Sequence, residues 1–406
     1  MKILIYGLNF SPELTGIGKY TGEMAAWLVS KGHQVKVICA PPYYPGWKID
    51  GAYGSNCYKI EAIDGVTVYR APLYVPKRPT GVKRILHLMS FACTSLPLLI
   101  SQLRWKPDVV WVVEPPLLGA PAALLFSRFT GSKTWLHIQD FEIDAAFEMG
   151  ILKSARLRGM IEKGERWLMS RFYKVSSISG RMIELAGNKG VDSSRLYLFR
   201  NWVNVEDIRP TNRIGFYRRE LGIKDDVIVA LYSGNMGGKQ GLEVMARAAR
   251  ALQYNAGIKF VFCGNGAGRA LLEKECESLN NVIFMDLQPI DRLNDLLGMA
   301  DVHLLPQRAD AADLVMPSKL TGMLASGRAV VVTSKVDTEL GDVILNHAKC
   351  GLVVPPENYM AMAKALERLV ENSSLREEFG RNGRIYAEKV LSGESILSEF
   401  EEELAS

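Results

Sequence analysis

CxxC cysteine pairs, DxD-type carboxylate pairs and long hydrophobic runs are all missing from this chain. Its six cysteines are scattered without a CxxC pair, which argues against a disulfide framework or a zinc site and favours a reducing compartment. The apolar run at residues 3–6 stops at Gly7 and is too short for a secretory signal, so we expect no export. No DxD-type pair offers a clear Mg²⁺ site, and we expect neither a metal nor a cofactor.

Acidic residues are absent from residues 65–107, a window that holds seven lysines and arginines. Inside it, residues 85–100 form an apolar run that contains Pro97 and is shorter than the roughly 20 residues of a membrane span. We interpret this run as a helix on an anionic membrane face, with the basic residues against lipid headgroups. A core helix with a solvated basic flank is the alternative. No aromatic–basic interleaving accompanies the charge, so we expect no nucleic acid partner.

The length of 406 residues predicts two domains. In both halves, short apolar runs typical of buried strands alternate with helical patterns. The strands are predicted at 3–6, 34–39, 108–113, 133–138, 173–179 and 195–199, and then at 227–232, 259–263, 282–285, 302–305, 330–333 and 352–354. This alternation predicts an α/β fold with two doubly wound parallel sheets. We place the domains at 1–204 and 205–385, followed by a C-terminal helix at 386–406 that can return to the first domain.

Two loops of the first half follow strand ends, where parallel sheets bind ligands. The loop at residues 7–18 contains Gly16 and Gly18 but lacks the third glycine of a dinucleotide fingerprint. It is either a place where a ligand approaches the backbone closely or a flexible surface loop. The loop at 41–47 is rich in aromatic residues and proline, and it faces an acceptor or lipid or packs on the domain.

Polar residues also gather after the strand at 133–138. His137, Asp140, Glu142 and Asp144 lie within eight residues of one another, a placement suited to acid–base chemistry. For His137 the alternative is a structural role, which is common for a lone histidine at a strand end.

The second half contains a segment typical of an anion site. Pro317 suits the first position of a helix, Gly327 suits the left-handed position after its last turn, and a valine-rich strand follows. The backbone N–H groups of Ser318, Lys319 and Leu320 are then expected to point towards an anion. An ordinary α/β unit without a ligand is the alternative. Two glycine-rich loops, at 233–241 and 264–268, precede helices at the same edge of the predicted sheet.

Three segments together resemble glycosyltransferase family four, whose members have the GT-B fold. Residues 233–242 resemble its donor-phosphate loop. Residues 316–320, followed by 325–327, resemble a segment of its bacterial deoxysugar-transferase branch, and residues 10–18 resemble its acceptor-side loop. The resemblance covers essentially the whole chain. It implies two Rossmann-like domains that face each other across a cleft.

The resemblance also implies roles for individual residues. Gly16 and Gly18 would back the phosphate or the acceptor, and His137 would lie near the donor sugar. Together with Asp140, from the polar cluster, and Lys319, His137 is predicted to be catalytic. The donor nucleotide would be held by Gly234, Asn235, Lys239, Gln240, Gly241, Asn265, Ser318, Lys319 and Leu320.

The chain departs from the family pattern at charged positions. Asn235 stands where many members have a basic residue, and Gln240 stands where a lysine is usual, with Lys239 next to it. The two glutamates of the family signature are replaced by Leu314 and Gly322. Because one of those glutamates normally binds the ribose, Asp310 or Asp313 is expected to take over that contact.

The resemblance therefore implies transfer of a sugar to a polyprenyl-diphosphate-linked sugar acceptor in exopolysaccharide biosynthesis. The expected donor is GDP-fucose, and the expected sugar is fucose. We expect retention of configuration, a cytoplasmic location and peripheral binding to the inner face of the cytoplasmic membrane. Polysaccharide-assembly proteins are potential partners. Two alternatives stay open: a sugar-nucleotide epimerase of the same fold, and a non-catalytic component that binds nucleotide without turnover.

Overall fold

The computed structural model of the chain describes residues 1–13, 16–54, 57–77, 81–141, 143–144, 155–212, 214–237, 240–309 and 316–405. The chain divides into two compact units, Met1–Arg200 with Glu399–Ser406, and Asn201–Ser398. The predicted limit at residue 204 lies a few residues beyond the observed one. The predicted limit at residue 385 falls inside a continuous helix, Ser373–Val390.

The first unit is built on an eight-stranded sheet. Its strands are β1 (Lys2–Tyr6), β2 (Gln34–Cys39), β3 (Lys59–Ile63), β4 (Val66–Arg70), β5 (Val109–Glu114), β6 (Lys133–Ile138), β7 (Lys174–Ser177) and β8 (Leu196–Leu198). Its helices are α1 (Gly16–Ser30), α2 (Gly81–Ser101), α3 (Ala120–Thr130), α4 (Ala155–Met169) and α5 (Gly180–Asn188), with short 3-10 turns at Leu117–Gly119 and Ser193–Arg195. The spatial order is β3-β4-β2-β1-β5-β6-β7-β8.

All neighbouring strands of this sheet are parallel except β3 and β4. Every side chain of β5 is buried, as expected of a central strand covered on both faces. The direction in which strands are added reverses between β1 and β5, the point where doubly wound sheets bind ligands beyond the carboxyl ends of their strands. The loop after β1 therefore lies at the expected ligand edge.

The hairpin of β3 and β4 is an element that the sequence analysis missed. Its two-residue turn is Asp64-Gly65, with φ values of 50° and 78°, and two positive φ values are typical of a type I′ turn. Buried and half-buried side chains alternate along β4, the period of a strand with two different faces. The Asp-Gly pair was the available signal, but β3 is largely exposed and lacks the continuous apolar run on which the other strands were recognised.

The second unit is a six-stranded, wholly parallel sheet in the order β11-β10-β9-β12-β13-β14. Its strands are β9 (Ile228–Ser233), β10 (Ile258–Cys263), β11 (Val282–Met285), β12 (Val302–Leu305), β13 (Ala329–Thr333) and β14 (Gly351–Val354). Its helices are α6 (Phe216–Glu220), α7 (Glu243–Ala251), α8 (Arg269–Cys276), α9 (Leu293–Gly298), α10 (Lys319–Ala325), α11 (Glu339–Asp342), α12 (Tyr359–Glu371) and α13 (Ser373–Val390), with a 3-10 turn at Ile290–Arg292 and a π-turn at Val343–His347. The switch point lies between β9 and β12. The predicted α/β class and its two doubly wound sheets are confirmed.

The last helix, α14 (Gly393–Ala405), ends in the first unit. Its Phe400 stacks on Phe199 with ring centroids 4.4 Å apart and meets the edge of Trp111 at 4.8 Å. Glu401 lies 2.8 Å from the His33 ring, on the same unit. The Phe400 side chain, close to the end of the chain, is thus buried in the core of the first unit.

Helix α2 carries apolar side chains on two opposite faces. The residues buried against the sheet are His87, Phe91, Ser95 and Leu99, which recur every four positions. The exposed large apolar side chains are Val82, Ile85, Leu86, Met89, Leu96 and Ile100. Among the described residues, α2 is the one helix long and apolar enough to cross a membrane. It begins at Gly81, before the predicted apolar run.

Candidate functional site

Two glycine loops of the second unit pack backbone against backbone beyond the ends of β9 and β10. The N–H of Met236 donates to the carbonyl of Asn265 at 2.9 Å, and the N–H of Gly268 donates to the carbonyl of Met236 at 2.8 Å. A Cβ on Gly264 would lie 1.9 Å from the carbonyl oxygen of Gly234. Gly264 therefore has to be glycine, because any side chain would push the two loops apart.

Lys319 reaches this pair of loops from the first turn of α10. Its Nζ donates to the Tyr232 hydroxyl at 3.0 Å and lies 4.2 Å from the ring centroid. The Tyr232 hydroxyl in turn donates to the carbonyl of Asn235 at 2.6 Å. A Cβ on Gly234 would lie 3.2 Å from Nζ. The ammonium group thus lies directly against the predicted phosphate loop.

Burial lowers the pKa of Lys319 to about 7. Among the residues that the structure describes, no carboxylate contacts its ammonium group, whose neighbours are a phenol and a glycine backbone. Desolvation without a compensating negative charge disfavours the ammonium form. An anion bound beside Gly234 would supply that charge and restore the protonated form.

The start of α10 differs from its prediction. The helix begins at Lys319 with Ser318 as its N-cap residue, two residues after the predicted first position, Pro317. The N–H of Leu320 donates to the carbonyl of Pro317 at 3.1 Å, so it is already engaged within the turn. Of the three N–H groups predicted to face an anion, that of Leu320 is therefore not available. Gly327 has a φ of 68°, which is the predicted left-handed position.

Arg308 is a cation at this site that the sequence analysis missed. It follows β12, on the other side of the switch point, and its Cγ would lie 3.3 Å from a Cβ on Gly241. Its guanidinium lies 3.4 Å from Glu243 and 4.0 Å from Glu357, distances of loose surface pairs. The available signal was its position just beyond a buried strand, the same argument that drew attention to the glycine loops.

The predicted donor residues are not equivalent in the structure. The side-chain oxygen of Asn265 accepts a 2.6 Å hydrogen bond from Arg269, so this amide is held in place at the rim of its loop. Gln240 is half-buried, and its Oε1 has no hydrogen-bond partner among the residues that the structure describes. Gly241 has a φ of 59°, which favours glycine. Lys239 lies outside the described residues, as do Asp310, Asp313 and Leu314.

Gly322 stands where the family has a glutamate. A Cβ at this position would lie 3.3 Å from the Leu297 side chain, so the start of any side chain would press on leucine. Leu297 itself is buried. Among the described residues, the side chain nearest to position 322 is thus apolar.

The loop after β1 of the first unit is organised around a buried carboxylate. Glu13 is 5% exposed and accepts hydrogen bonds at 3.0 Å from the N–H groups of Tyr43 and Tyr44. Asn9 donates to it at 2.8 Å. A Cβ on Gly18 would lie 2.7 Å from the Glu13 carboxylate. Gly18 therefore admits Glu13 against α1, while Gly16 has a φ of 60° and starts that helix.

A buried arginine also stabilises this loop through hydrogen bonds. Arg70 donates to the carbonyl of Ser11, to the carbonyl of Ala40 at 2.9 Å and to Glu61 at 2.8 Å. These bonds tie the loop after β1 to the loop after β2. In its described residues, the predicted acceptor-side loop is therefore held in place by side-chain hydrogen bonds.

His137 lies in the core of the first unit. Its side chain is buried, with one ring nitrogen 2.9 Å from the Ser176 hydroxyl and the other 2.9 Å from the Gln139 amide. Its ring stacks on Trp111 at 5.1 Å. Burial lowers its pKa to about 3, which makes the imidazole neutral. These contacts favour the structural role for His137 over the catalytic one, because neighbouring side chains engage both ring nitrogens.

Of the carboxylates predicted to cluster with His137, Asp144 is engaged by a lysine instead. Asp144 pairs with Lys189 at 2.8 Å, and Lys189 also bonds Glu165. Asp140 is half-buried directly after β6, and Glu142 lies outside the described residues. No group of three metal-ligating side chains occurs within the part of the chain that the structure describes.

Two family models match the chain, one over each half. The model described as "Glycosyl transferase 4-like domain" matches residues 15–202, and the model described as "Glycosyl transferases group 1" matches residues 214–386. The chain therefore belongs to the family-four glycosyltransferases, and it is an enzyme of that class.

A relative in Escherichia coli (strain K12) gives the more particular likeness. This glycosyl transferase, WcaI, is named for colanic acid biosynthesis. It is 41% identical over an alignment of 407 positions that covers 98% of this chain and 98% of WcaI. The alpha-D-kanosaminyltransferase of Streptomyces kanamyceticus is 27% identical over 169 residues, 41% of this chain and 42% of that enzyme.

Solved structures share the fold at low sequence identity. Sucrose-phosphate synthase from Thermosynechococcus elongatus has a TM-score of 0.77 at 14% identity, over 99% of this chain and 97% of that one. HepE of Anabaena, in complex with UDP and glucose, has a TM-score of 0.70 at 15% identity, over 100% of this chain and 99% of that one. These likenesses show the GT-B fold.

Proposed function

We propose that this glycosyltransferase moves a sugar, with fucose from GDP-fucose as the first candidate, onto a polyprenyl-diphosphate-linked sugar during biosynthesis of a colanic acid-type polysaccharide. The support for the pathway is the likeness to WcaI, which runs over 98% of both chains. The support for a nucleotide-diphosphate donor is HepE, a protein of the same fold whose solved structure is a complex with UDP and glucose.

The observation that carries the proposal is the Lys319 ammonium group against Gly234. Departure of a nucleotide diphosphate leaves negative charge on phosphate oxygens, and preorganised donors at that charge lower the barrier. Lys319 is held by Tyr232 at 3.0 Å, so its position is set before a ligand arrives. We assign it to the phosphate next to the departing sugar.

Arg308 is proposed as the second cation. Asn235 and Gln240 are uncharged at positions where the family has basic residues in its phosphate loop. Among the described residues of this loop, none is a cation. Arg308 lies on the opposite flank, beside Gly241. Together the two side chains would return two positive charges to the diphosphate, which is the reason we propose that donor binding needs no Mg²⁺.

We propose retention of configuration, with the departing phosphate taking the acceptor proton. His137 is assigned no proton transfer in this scheme, because both of its ring nitrogens are engaged in the core. Asp140, at the carboxyl end of β6, remains the proposed catalytic carboxylate of the first unit.

Membrane binding is proposed through the exposed face of α2. Leu86 and Met89 are about half exposed there, at 50% and 47%, and Lys83 is exposed on the same helix. An apolar face beside cations suits the surface of an anionic membrane. The proposed location is the cytoplasmic face, where lipid-linked acceptors would be met.

The test is a thermal-shift panel of GDP-, UDP- and TDP-sugars, with EDTA and then with Mg²⁺. We expect a selective upward shift with GDP-fucose that EDTA leaves unchanged and that Lys319→Met removes. A shift that depends on Mg²⁺ would contradict metal-free binding. Isomerised donor in the reaction mixture would favour an epimerase, and binding without any turnover in the presence of acceptor would favour a non-catalytic component.

A further inference from the structure

The first unit contains a groove between the aromatic loop and α2 that the donor chemistry does not use. Its volume is about 480 Å³, within the range of small-molecule sites. Its lining includes Trp47, Lys48, Tyr74, Lys77, Ser90 and Thr94. We propose that this groove binds the isoprenoid diphosphate of the lipid-linked acceptor, an inference that rests on the proposed function.

The charge of the groove favours an anion. None of its lining residues is acidic, although two are lysines, and residues 65–107 contain no Asp or Glu at all. Neither Lys48 nor Lys77 has an ion pair or a side-chain hydrogen bond to another described residue. The hydroxyls of Ser90 and Thr94 are already engaged: Thr94 donates to the carbonyl of Pro72 at 2.6 Å, and Ser90 accepts from the N–H of Tyr74 at 3.1 Å. The two ammonium groups are therefore cations of the groove that have no partner among the described residues.

The aromatic wall favours a lipid attached to that anion. Trp47 has a φ of 50°, a conformation that bulky residues rarely adopt and that tends to occur at functional sites. Its ring packs on His87 at 5.1 Å and on Tyr43 at 5.6 Å. His87 is itself fixed by a 2.6 Å hydrogen bond to the carbonyl of Tyr74. The indole is thus a half-buried apolar platform that is held by its neighbours.

The groove continues onto the exposed apolar face of α2. Ser90 and Thr94 line the groove from this helix, and Leu86, Met89 and Leu96, which are 40–50% exposed, lie on the adjoining face of the same turns. An acceptor whose diphosphate lies between the lysines would place its first isoprene units on Trp47. The rest of its chain would follow α2 towards a membrane. A free phosphate would use only the lysines.

The experiment measures binding of farnesyl diphosphate, inorganic diphosphate and farnesol to the full chain by calorimetry. We expect farnesyl diphosphate to bind at least about tenfold more tightly than either fragment, because charge and apolar contact both contribute. The double variant Lys48→Gln/Lys77→Gln should weaken it at least about tenfold. The matched control Arg104→Gln/Lys106→Gln removes the same charge from the same acid-free window, outside the groove, and should leave binding unchanged.

Trp47→Asn tests the platform separately, since asparagine tolerates a positive φ. We expect this variant to weaken farnesyl diphosphate while leaving inorganic diphosphate unchanged. Equal binding of inorganic and farnesyl diphosphate would overturn the proposal, and so would unchanged binding in the lysine double variant. Loss of phosphatidylglycerol vesicle binding in that variant, with farnesyl diphosphate still bound, would make the lysines a headgroup surface instead.

Donor binding separates this proposal from the proposed function. GDP-fucose affinity is measured in the same lysine double variant, and it should be unchanged because the groove belongs to the first unit. A wild-type chain that binds farnesyl diphosphate in the groove but no nucleotide sugar would refute the function and keep the groove. The reverse result would refute the groove alone.

Discussion

Binding of a nucleotide sugar should be coupled to protonation of Lys319. Burial holds the pKa of this lysine at about 7 in the free protein, so about half of the molecules carry a neutral amine at neutral pH. A diphosphate beside Gly234 attracts the ammonium form and raises the pKa of Lys319 towards its ordinary value of about 10.4. Affinity should therefore fall as the pH rises above 7, and the complex should take up protons as it forms.

The size of the effect follows from the charged fraction of Lys319. Between about pH 7 and about pH 8.5 that fraction drops from about one half to about 3%, which lowers affinity about sixteenfold, or about 1.6 kcal/mol. Proton uptake on binding should rise from about half a proton to about one over the same range. A nucleotide sugar is the right probe because its diphosphate carries no ionisation in this range.

Isothermal titration calorimetry in two buffers of different protonation enthalpy measures both quantities. The matched variant is Lys319→Arg, which keeps the charge but does not deprotonate in this range. Its affinity should be flat with pH, with no proton uptake. Lys319→Met should bind weakly at every pH. If Lys319→Arg showed the same slope and proton uptake as the wild type, the coupling would belong to another group and the reasoning would be wrong.

Three further outcomes are expected. Gly264→Ala should reduce donor affinity more than tenfold and cost about 1–3 kcal/mol of stability, because its Cβ would meet the Gly234 carbonyl at 1.9 Å. The control in thermal unfolding is Gly32→Ala, because Gly32 also has a positive φ but its Cβ would meet nothing within 4 Å. Arg308→Gln should weaken donor binding about tenfold with an unchanged melting temperature, and equal affinity would remove it from the site. His137→Gln should lower stability by about 1–3 kcal/mol but leave kcat within tenfold at a temperature where it is folded; a far larger kcat loss would return His137 to the chemistry.

Much of the fold could be predicted because its central strands are continuous apolar runs. β1, β5, β6, β9 and β10 are all recognised within a residue or two, since strands buried on both faces leave no polar interruption. The β3–β4 hairpin could not be recognised by that rule, because its exposed face carries polar residues. Its Asp64-Gly65 turn was a local signal that the apolar pattern outweighed.

The candidate site was predicted less completely than the fold. The glycine loops and Lys319 could be located because they follow strand ends or open a helix. Tyr232 was missed because it lies within a buried strand, and only the structure shows its hydroxyl under the Lys319 ammonium group. His137 was assigned to the chemistry from its place at a strand end. Sequence position could not show that Ser176 and Gln139 engage both of its nitrogens.

The most direct test of the account is sugar transfer itself. Purified protein is incubated with labelled GDP-fucose and a lipid extract that contains polyprenyl-diphosphate-linked sugars, and the lipid fraction is separated and counted. The account predicts label in a lipid-linked product with the wild-type chain, at a level reduced more than tenfold in Lys319→Met. A folded wild-type protein that labels no lipid from GDP-, UDP- or TDP-sugars, or a Lys319→Met variant that labels it normally, would contradict the account.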